Sequence, residues 1–364
     1  MKKRRDWIVV TIVAALLTAG VVLAGAVAPG AGGRANADGT PSPSAISGAV
    51  LQVEHNGTVV KDYTLDQLEA LTAFPGFAGF RNSAGNVTGP EPVTGAKITD
   101  IVQDALGAAL GAKQSVYVAD ADPGNTYGQL FSYDQLVNAT GFVMYNAKDT
   151  TNPVLPSSFA GPLATVLVYN DPLANVMPAD EGPLRFMVAD ATSEGQLMVG
   201  SDSVYSVNTL DVRDVVAKSW SLKLTGLRVK GKRPTRTITR NDFQGCAQPN
   251  CHGATYKLFG QKWSGTPLYL LVGEVDGGAD MTYNAALALK GYRIELVSTT
   301  GKVRFVSSRA IIDKRSIVVA NELNGAALGA SLFPLRLIGP KLTAAQDLGR
   351  LESITLLPLA KKKK

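Results

Sequence analysis

Histidine and cysteine are almost missing from this chain, with two of each in 364 residues. So few cysteines exclude a disulfide-dense scaffold, and so few histidines leave little room for a nucleophile and base pair. No Gly-x-Ser-x-Gly elbow, His-Glu-x-x-His string, P-loop or Rossmann glycine fingerprint occurs, so hydrolase and nucleotide chemistry lack their usual carriers. Charged residues make up 18%, below the usual quarter, while glycine numbers 37, which disfavours long charged helices and favours many turns. Apolar residues at 45% are ample for sizeable cores and exclude a disordered chain. The length is that of two ordinary domains.

One long hydrophobic run is present, from Trp7 to Val27, behind Lys2, Lys3, Arg4 and Arg5. Its length suits a bilayer-crossing helix, and its basic flank orients it with the N-terminus inside. Residues 1–28 therefore read as a signal peptide or a signal anchor, with the small-x-small string Ala35–Ala37 as a cleavage site for the first reading. Residues 29–47 are small, polar and proline-punctuated, a flexible linker. The chain beyond residue 28 is expected outside the cytoplasm, anchored in the membrane or secreted.

Charge is unevenly spread. Residues 39–217 carry 7 Lys/Arg against 19 Asp/Glu, net −12, whereas residues 218–360 carry 20 against 9, net +11. Attraction between the halves, or an anionic ligand on the basic one, would use this asymmetry. Nucleic acid does not suit an exported chain with so acidic a first half.

The chain repeats itself. "VTGAKITDIVQDAL" (93–106) aligns without gaps on "WSGTPLYLLVGEVD" (263–276), each placing a glycine ahead of apolar residues at i, i+3 and i+4. That spacing predicts a short amphipathic helix entered through a tight turn at Gly95 or Gly265. "QSVYVADADPGNTYGQLFSY" and "YRIELVSTTGKVRFVSS" each predict a hairpin. "ATVLVYN" matches "SIVVAN", "GPLRFMV" matches "FPLRLIG", and "SVNTLDV" matches "ESITLLP". "YTLDQLEAL" and "RTITRNDFQ" are equivalent short helices behind a Thr. Two copies of one fold account for these matches, a first domain over 48–217 and a second over 218–360, with a lysine tail at 361–364. Strands and helices do not alternate regularly, so the class expected is α+β with mixed sheet-and-helix domains.

"WSGTPLYLLVG", "KGYRIELVSTTGKVRFVSSRAI", "SIVVANELNGAAL", "FPLRLIGPKL" and "LESITLLP" together resemble the molybdopterin-binding domain of the sulfite oxidase family. The second copy carries the resemblance over nearly its whole length and the first more weakly, with longer insertions. The resemblance implies an extracytoplasmic molybdopterin-dependent oxidoreductase with an electron-transfer partner. Any cofactor would lie in the second domain, because the first has no cysteine. Cys251 is then the candidate molybdenum ligand, with His252 and Arg336 as pterin contacts by family position.

The residues themselves leave other readings open. Cys246 and Cys251 are close enough in an exported chain to form a disulfide. "CAQPNCH" has the ingredients of a haem attachment signature at a different spacing. Neither cysteine is followed by the family's Asn/Arg segment. A chain without cofactor, serving as a non-catalytic cell-surface binding or structural module for a protein partner, fits the same residues.

Overall fold

The computed structural model describes residues 48–359 apart from 83–84, 122–126, 160, 178–181, 193–194, 229–230, 232, 249–250, 278–281, 341 and 343–346. All of these belong to one unit, Pro43–Lys364. The expected membrane segment (1–28), linker (29–47) and lysine tail (361–364) lie outside the described residues. Among the described residues no helix is long and apolar enough to cross a membrane.

In the first half, β1 (Leu51–His55) and β2 (Thr58–Tyr63) form a hairpin that leads into α1 (Leu65–Glu69). A second hairpin, β3 (Ala73–Arg81) and β4 (Val87–Lys97), runs into α2 (Ile98–Leu106). Then come the hairpin of β5 (Ser115–Asp120) and β6 (Gly128–Ser132), α3 (Tyr133–Asn138), β7 (Met144–Asn146) and β8 (Asp149–Val154). The half closes with β9 (Leu163–Asn170), β10 (Arg185–Asp190), β11 (Gln196–Val199) and β12 (Val207–Arg213).

The second half opens with β13 (Ser221–Thr225), β14 (Thr235–Thr239) and α4 (Arg240–Cys246). It continues with β15 (Ala254–Leu258), β16 (Gln261–Pro267), α5 (Leu268–Gly273) and α6 (Ala285–Lys290). Next are β17 (Tyr292–Ser298), β18 (Val303–Ser307), α7 (Ser308–Ile311) and β19 (Val318–Leu323). The last strands are β20 (Ala326–Ala327), β21 (Arg336–Ile338), β22 (Leu348–Gly349) and β23 (Leu351–Pro358).

The two halves share one strand order. The first sheet reads β2-β1-β12-β5-β6 and its counterpart β14-β13-β23-β17-β18. In both, the opening strand lies parallel to the closing strand (β1 with β12, β13 with β23) and the other neighbours are antiparallel. The second sheet contains β10-β9-β4-β3 in one half and β21-β19-β16-β15 in the other. The first half extends this sheet with β11, β7 and β8, the latter two built by its insertion near residues 144–154.

The expected α+β class is corrected by these sheets: the protein is mostly β, 46% strand against 17% helix. The difference lies largely in the hairpins β3–β4 and β15–β16, where the sequence pattern shows only a short helix followed by a glycine turn. Pro75, Pro90 and Pro92 with four glycines break the alternation of β3 and β4, so the strands do not announce themselves. Gly95 and Gly265 are not turns. Each lies inside its strand at a β-bulge, Thr94/Gly95 against β9 and Ser264/Gly265 against β19. A Cβ on Gly95 would stand 2.4 Å from the Leu167 carbonyl oxygen, and one on Gly265 2.1 Å from that of Val319. Close backbone approach, rather than a left-handed turn, is what selects glycine there.

The helices are short and gain their stability from packing. Thr64 and Thr239 cap α1 and α4, each accepting from the backbone N–H of the third helical residue. In each case that residue, Gln67 or Asp242, reaches back to the cap's own N–H and completes a capping box. Ile98, Ile101 and Val102 of α2 and Leu268, Leu271 and Val272 of α5 are all buried. Each such side chain contributes about 1.5–3 kcal/mol on leaving water. Each half has its own core, and a smaller cluster around Trp263, Val318 and Ile338 belongs to the second-half sheet.

Candidate functional site

The halves meet where α4 lies on the first-half sheet. Gln129 Nε2 donates to the Asn241 carbonyl at 2.9 Å and to the Ser201 carbonyl at 3.1 Å. Arg240 Nη2 donates to the Leu130 carbonyl at 2.5 Å and to Gln135 Oε1 at 2.9 Å. Ser201 Oγ donates to Asp242 Oδ1, and Gln248 Nε2 to the Gly128 carbonyl. The approach is close enough that a Cβ on Gly245 would meet Tyr127 Oη at 2.7 Å. Asp202 is buried beside this contact. Burial first, and then the charge of Asp242, pushes its carboxyl well above the ordinary value, with Arg240 opposing. Burial lowers the Arg240 guanidinium to about 10, against the pull of Asp202.

Beside this contact lies a cleft of about 600 Å³ shared by the halves. Tyr117, Leu130 and Arg213 line it from the first half, and Gln244, Gln248, Lys262, Asn321 and Glu322 from the second. Arg213 stacks on the Tyr117 ring at 4.4 Å and bonds Asp211, which fixes that wall. Burial raises the Tyr117 hydroxyl; Arg213 opposes this, and the Glu322 carboxylate facing it adds to the rise. Burial raises Glu322 in turn, with Lys262 opposing. Gln244 Oε1 and Asn321 Oδ1 are buried without a hydrogen-bond partner.

Asn321 owes its place to the bulge. Ser264 pairs with Glu322 and Gly265 with Ala320, so Asn321 is the extra residue between them. A bulge re-aims the side chain it carries. In the first half Thr94 pairs with Asn170 and Gly95 with Val168, which makes Tyr169 the counterpart. The sequence match of "ATVLVYN" with "SIVVAN", which sets Asn170 against Asn321, is thus shifted by one residue.

The expected site residues fall in two places. Cys246 closes α4 and is half-buried, Cys251 is exposed, and His252 is half-buried in the turn between α4 and β15. His252 N–H donates to the Cys246 carbonyl at 3.1 Å, and Cys251 N–H to the Gln248 carbonyl at 3.0 Å. Both cysteines are free thiols in this structure. They are hydrogen-bonded to each other; that bond holds Cys251 down at about 7, while the same bond and burial push Cys246 well up.

Arg336 stands apart. Its register neighbour is Ala320, which neighbours Gly265 and then Ala254, three strand spacings or about 14 Å along the sheet from the turn's end. Arg336 Nε and Nη2 both bond the Asp347 carboxylate, and the guanidinium lies over Trp263 at 4.4 Å. Arg185, at the equivalent register beside Val168, likewise takes local partners, Ser203 Oγ and the Val176 carbonyl.

A molybdopterin centre needs a thiolate together with cationic anchors for the pterin phosphate. The guanidinium assigned to that task is occupied by Asp347 and stands three strands from the cysteine turn, so Arg336 does not fit the role of pterin anchor beside Cys251. Among the described residues no cluster of three or more His, Cys, Asp or Glu could hold a metal ion. Comparison with protein-family models gives no match, and comparison with curated proteins gives no significant match.

Tyr117, Gln244, Asn321 and Glu322 escape a reading of the sequence. Their only common property is the space between the halves, and no spacing encodes it.

Proposed function

We propose that this chain is an extracytoplasmic binding module that takes a small, neutral, donor-rich ligand such as a saccharide in the cleft between its halves. The observation that carries this reading is the cleft itself, about 600 Å³ and walled by the side-chain amides of Gln244, Gln248 and Asn321. Amides placed on a concave wall both donate and accept, which suits a guest rich in hydroxyl or amide groups. Arg213 is paired with Asp211, and Lys262 and Glu322 are opposite in charge, which favours a neutral guest over an ion. The basic residues 2–5 and the apolar run 7–27 support a place outside the cytoplasm, anchored or secreted, where a cell-surface partner or free sugar is met. In this reading the motifs shared with the sulfite oxidase family mark descent and not chemistry.

The competing reading, a molybdopterin-dependent oxidoreductase, is favoured by one observation, the exposed and acidified thiol of Cys251. Elemental analysis and a thermal-shift panel of neutral mono- and disaccharides separate the two. The binding reading expects no stoichiometric molybdenum and a shift that disappears in the Gln244→Leu, Asn321→Leu double variant. One molybdenum per chain, lost on Cys251→Ser, sinks it.

A further inference from the structure

The two cysteines differ in a way that the cleft does not explain. Cys246 is the last residue of α4, and the His252 N–H bond to its carbonyl folds the adjoining turn back onto the helix end. That closure returns residue 251 to the side of residue 246, where the two thiols hydrogen-bond. The turn itself is braced by Cys251 N–H and Gly253 N–H, at 3.0 and 2.9 Å from the Gln248 carbonyl, and Gln248 is in turn fixed to the first half through Gly128. The turn thus holds the two thiols next to each other, as exchange between them requires. Cys251 is exposed to solvent, whereas Cys246 is half-buried behind it.

The electrostatics differ as well. A helix C-terminus carries negative potential, and the carboxylates of Asp242 and Glu274 act on Cys246 in the same sense. Cys251 has the opposite setting: the Cys246 thiol and the His252 backbone both donate toward its sulfur, which stabilises the thiolate near neutral pH.

We propose that Cys246 and Cys251 form a thiol–disulfide exchange site, with Cys251 the attacking sulfur, Cys246 the resolving sulfur and an accessible disulfide the substrate. The Cys251 thiolate attacks one sulfur of the substrate disulfide. That S–S bond breaks, a mixed disulfide forms, and the departing thiolate takes a proton from solvent. Cys246 then loses its proton and attacks Cys251 Sγ; the mixed disulfide breaks and the second substrate thiol leaves. The substrate disulfide gains two electrons and the cysteine pair loses two, ending as the intramolecular disulfide. Run backwards, the same steps oxidise a substrate dithiol. This activity is independent of the cleft ligand, and nothing in it requires a metal.

The test uses the reduced full chain with glutathione disulfide as probe, followed by intact-mass spectrometry. The wild type is expected to lose both free thiols and to hold no lasting adduct. Cys246→Ser, and Cys246→Ala as a second variant, should accumulate a one-to-one glutathione mixed disulfide. Cys251→Ser should form its adduct at least about tenfold more slowly, since a half-buried thiol of raised pKa is a poor and hindered nucleophile. A second arm with a disulfide-bonded peptide tells a protein source of the substrate from a small-molecule one by which probe reacts faster. Equal adduct rates in Cys246→Ser and Cys251→Ser would overturn the assignment. So would a wild-type disulfide that excess dithiol fails to reduce in the folded protein.

Discussion

Gln129 of the first half donates through Nε2 to the backbone carbonyl of Asn241 in the second, at 2.9 Å and with both residues buried. The same amide reaches the Ser201 carbonyl, so one side chain ties α4 to two parts of the opposite half. Gln129→Leu removes the donors, leaving the Asn241 carbonyl without its donor from the first half, while the Ser201 carbonyl keeps the Tyr127 hydroxyl. Equilibrium urea denaturation should show a loss of about 1–3 kcal/mol. No change in midpoint would mean that the halves are held together by other contacts.

Asp202 predicts a pH dependence of definite sign. Its carboxyl is raised in the folded protein, so between the unfolded value and the folded one the native state holds a proton that the unfolded chain has lost. Stability from this group is full below the unfolded carboxylate value and declines as pH rises through the folded one. Denaturation midpoints measured from about pH 4 to about pH 7 should fall more steeply for the wild type than for Asp202→Asn. Parallel curves would show that Asp202 titrates normally.

Gly265 and Gly95 should respond alike, because both approach a backbone carbonyl of the neighbouring strand across a bulge. Alanine at either forces the strands apart and is expected to cost about 2–3 kcal/mol or to prevent folding. Gly301, at φ +75 with open space around it, should lose about 1 kcal/mol on the same change. Thermal melts of the three variants give the ranking.

These glycines also show how much of the fold could be read beforehand. Thr64 and Thr239 signal helix starts because capping is a contact between neighbours in sequence. The hairpins β5–β6 and β17–β18 follow from alternation around a turn, again local. The strands β3 and β4 do not, since their prolines and glycines answer to bulges and to the close approach of β9, a strand distant in sequence. The site is harder still. Arg240 and Gln135 meet across 105 residues of chain, and Asn321 enters the cleft only because a bulge in its strand pairing gives it one residue of slip. Arg336 illustrates the converse: its register match with Arg185 is legible as a repeat, but its commitment to Asp347 and Trp263 is visible only in three dimensions.

Arg336→Gln therefore tests structure rather than cofactor chemistry. It removes both bonds to the Asp347 carboxylate and the cation from the Trp263 face, and a stability loss of about 1–2 kcal/mol is expected. The thermal shift with saccharides should be unaltered, because the cleft is lined by other residues. A variant of normal stability that no longer binds would place Arg336 in the binding site instead.

Asn321 gives the sharpest separation of fold from function. Its Oδ1 is buried and makes no hydrogen bond, so the amide contributes less to stability than an apolar side chain of its shape would. Replacing such a group by an apolar one of similar shape removes the desolvation penalty, and Asn321→Leu is expected to be neutral or more stable by about 1 kcal/mol. Residues kept for the fold lose stability when replaced; residues kept for binding can gain it while losing the ligand. The prediction is therefore a pair: a denaturation midpoint at or above that of the wild type, together with loss of the saccharide-induced thermal shift. Destabilisation on the scale of a core cavity, about 2–5 kcal/mol, would show that the amide makes a structural bond and that the cleft wall is not its reason for being there.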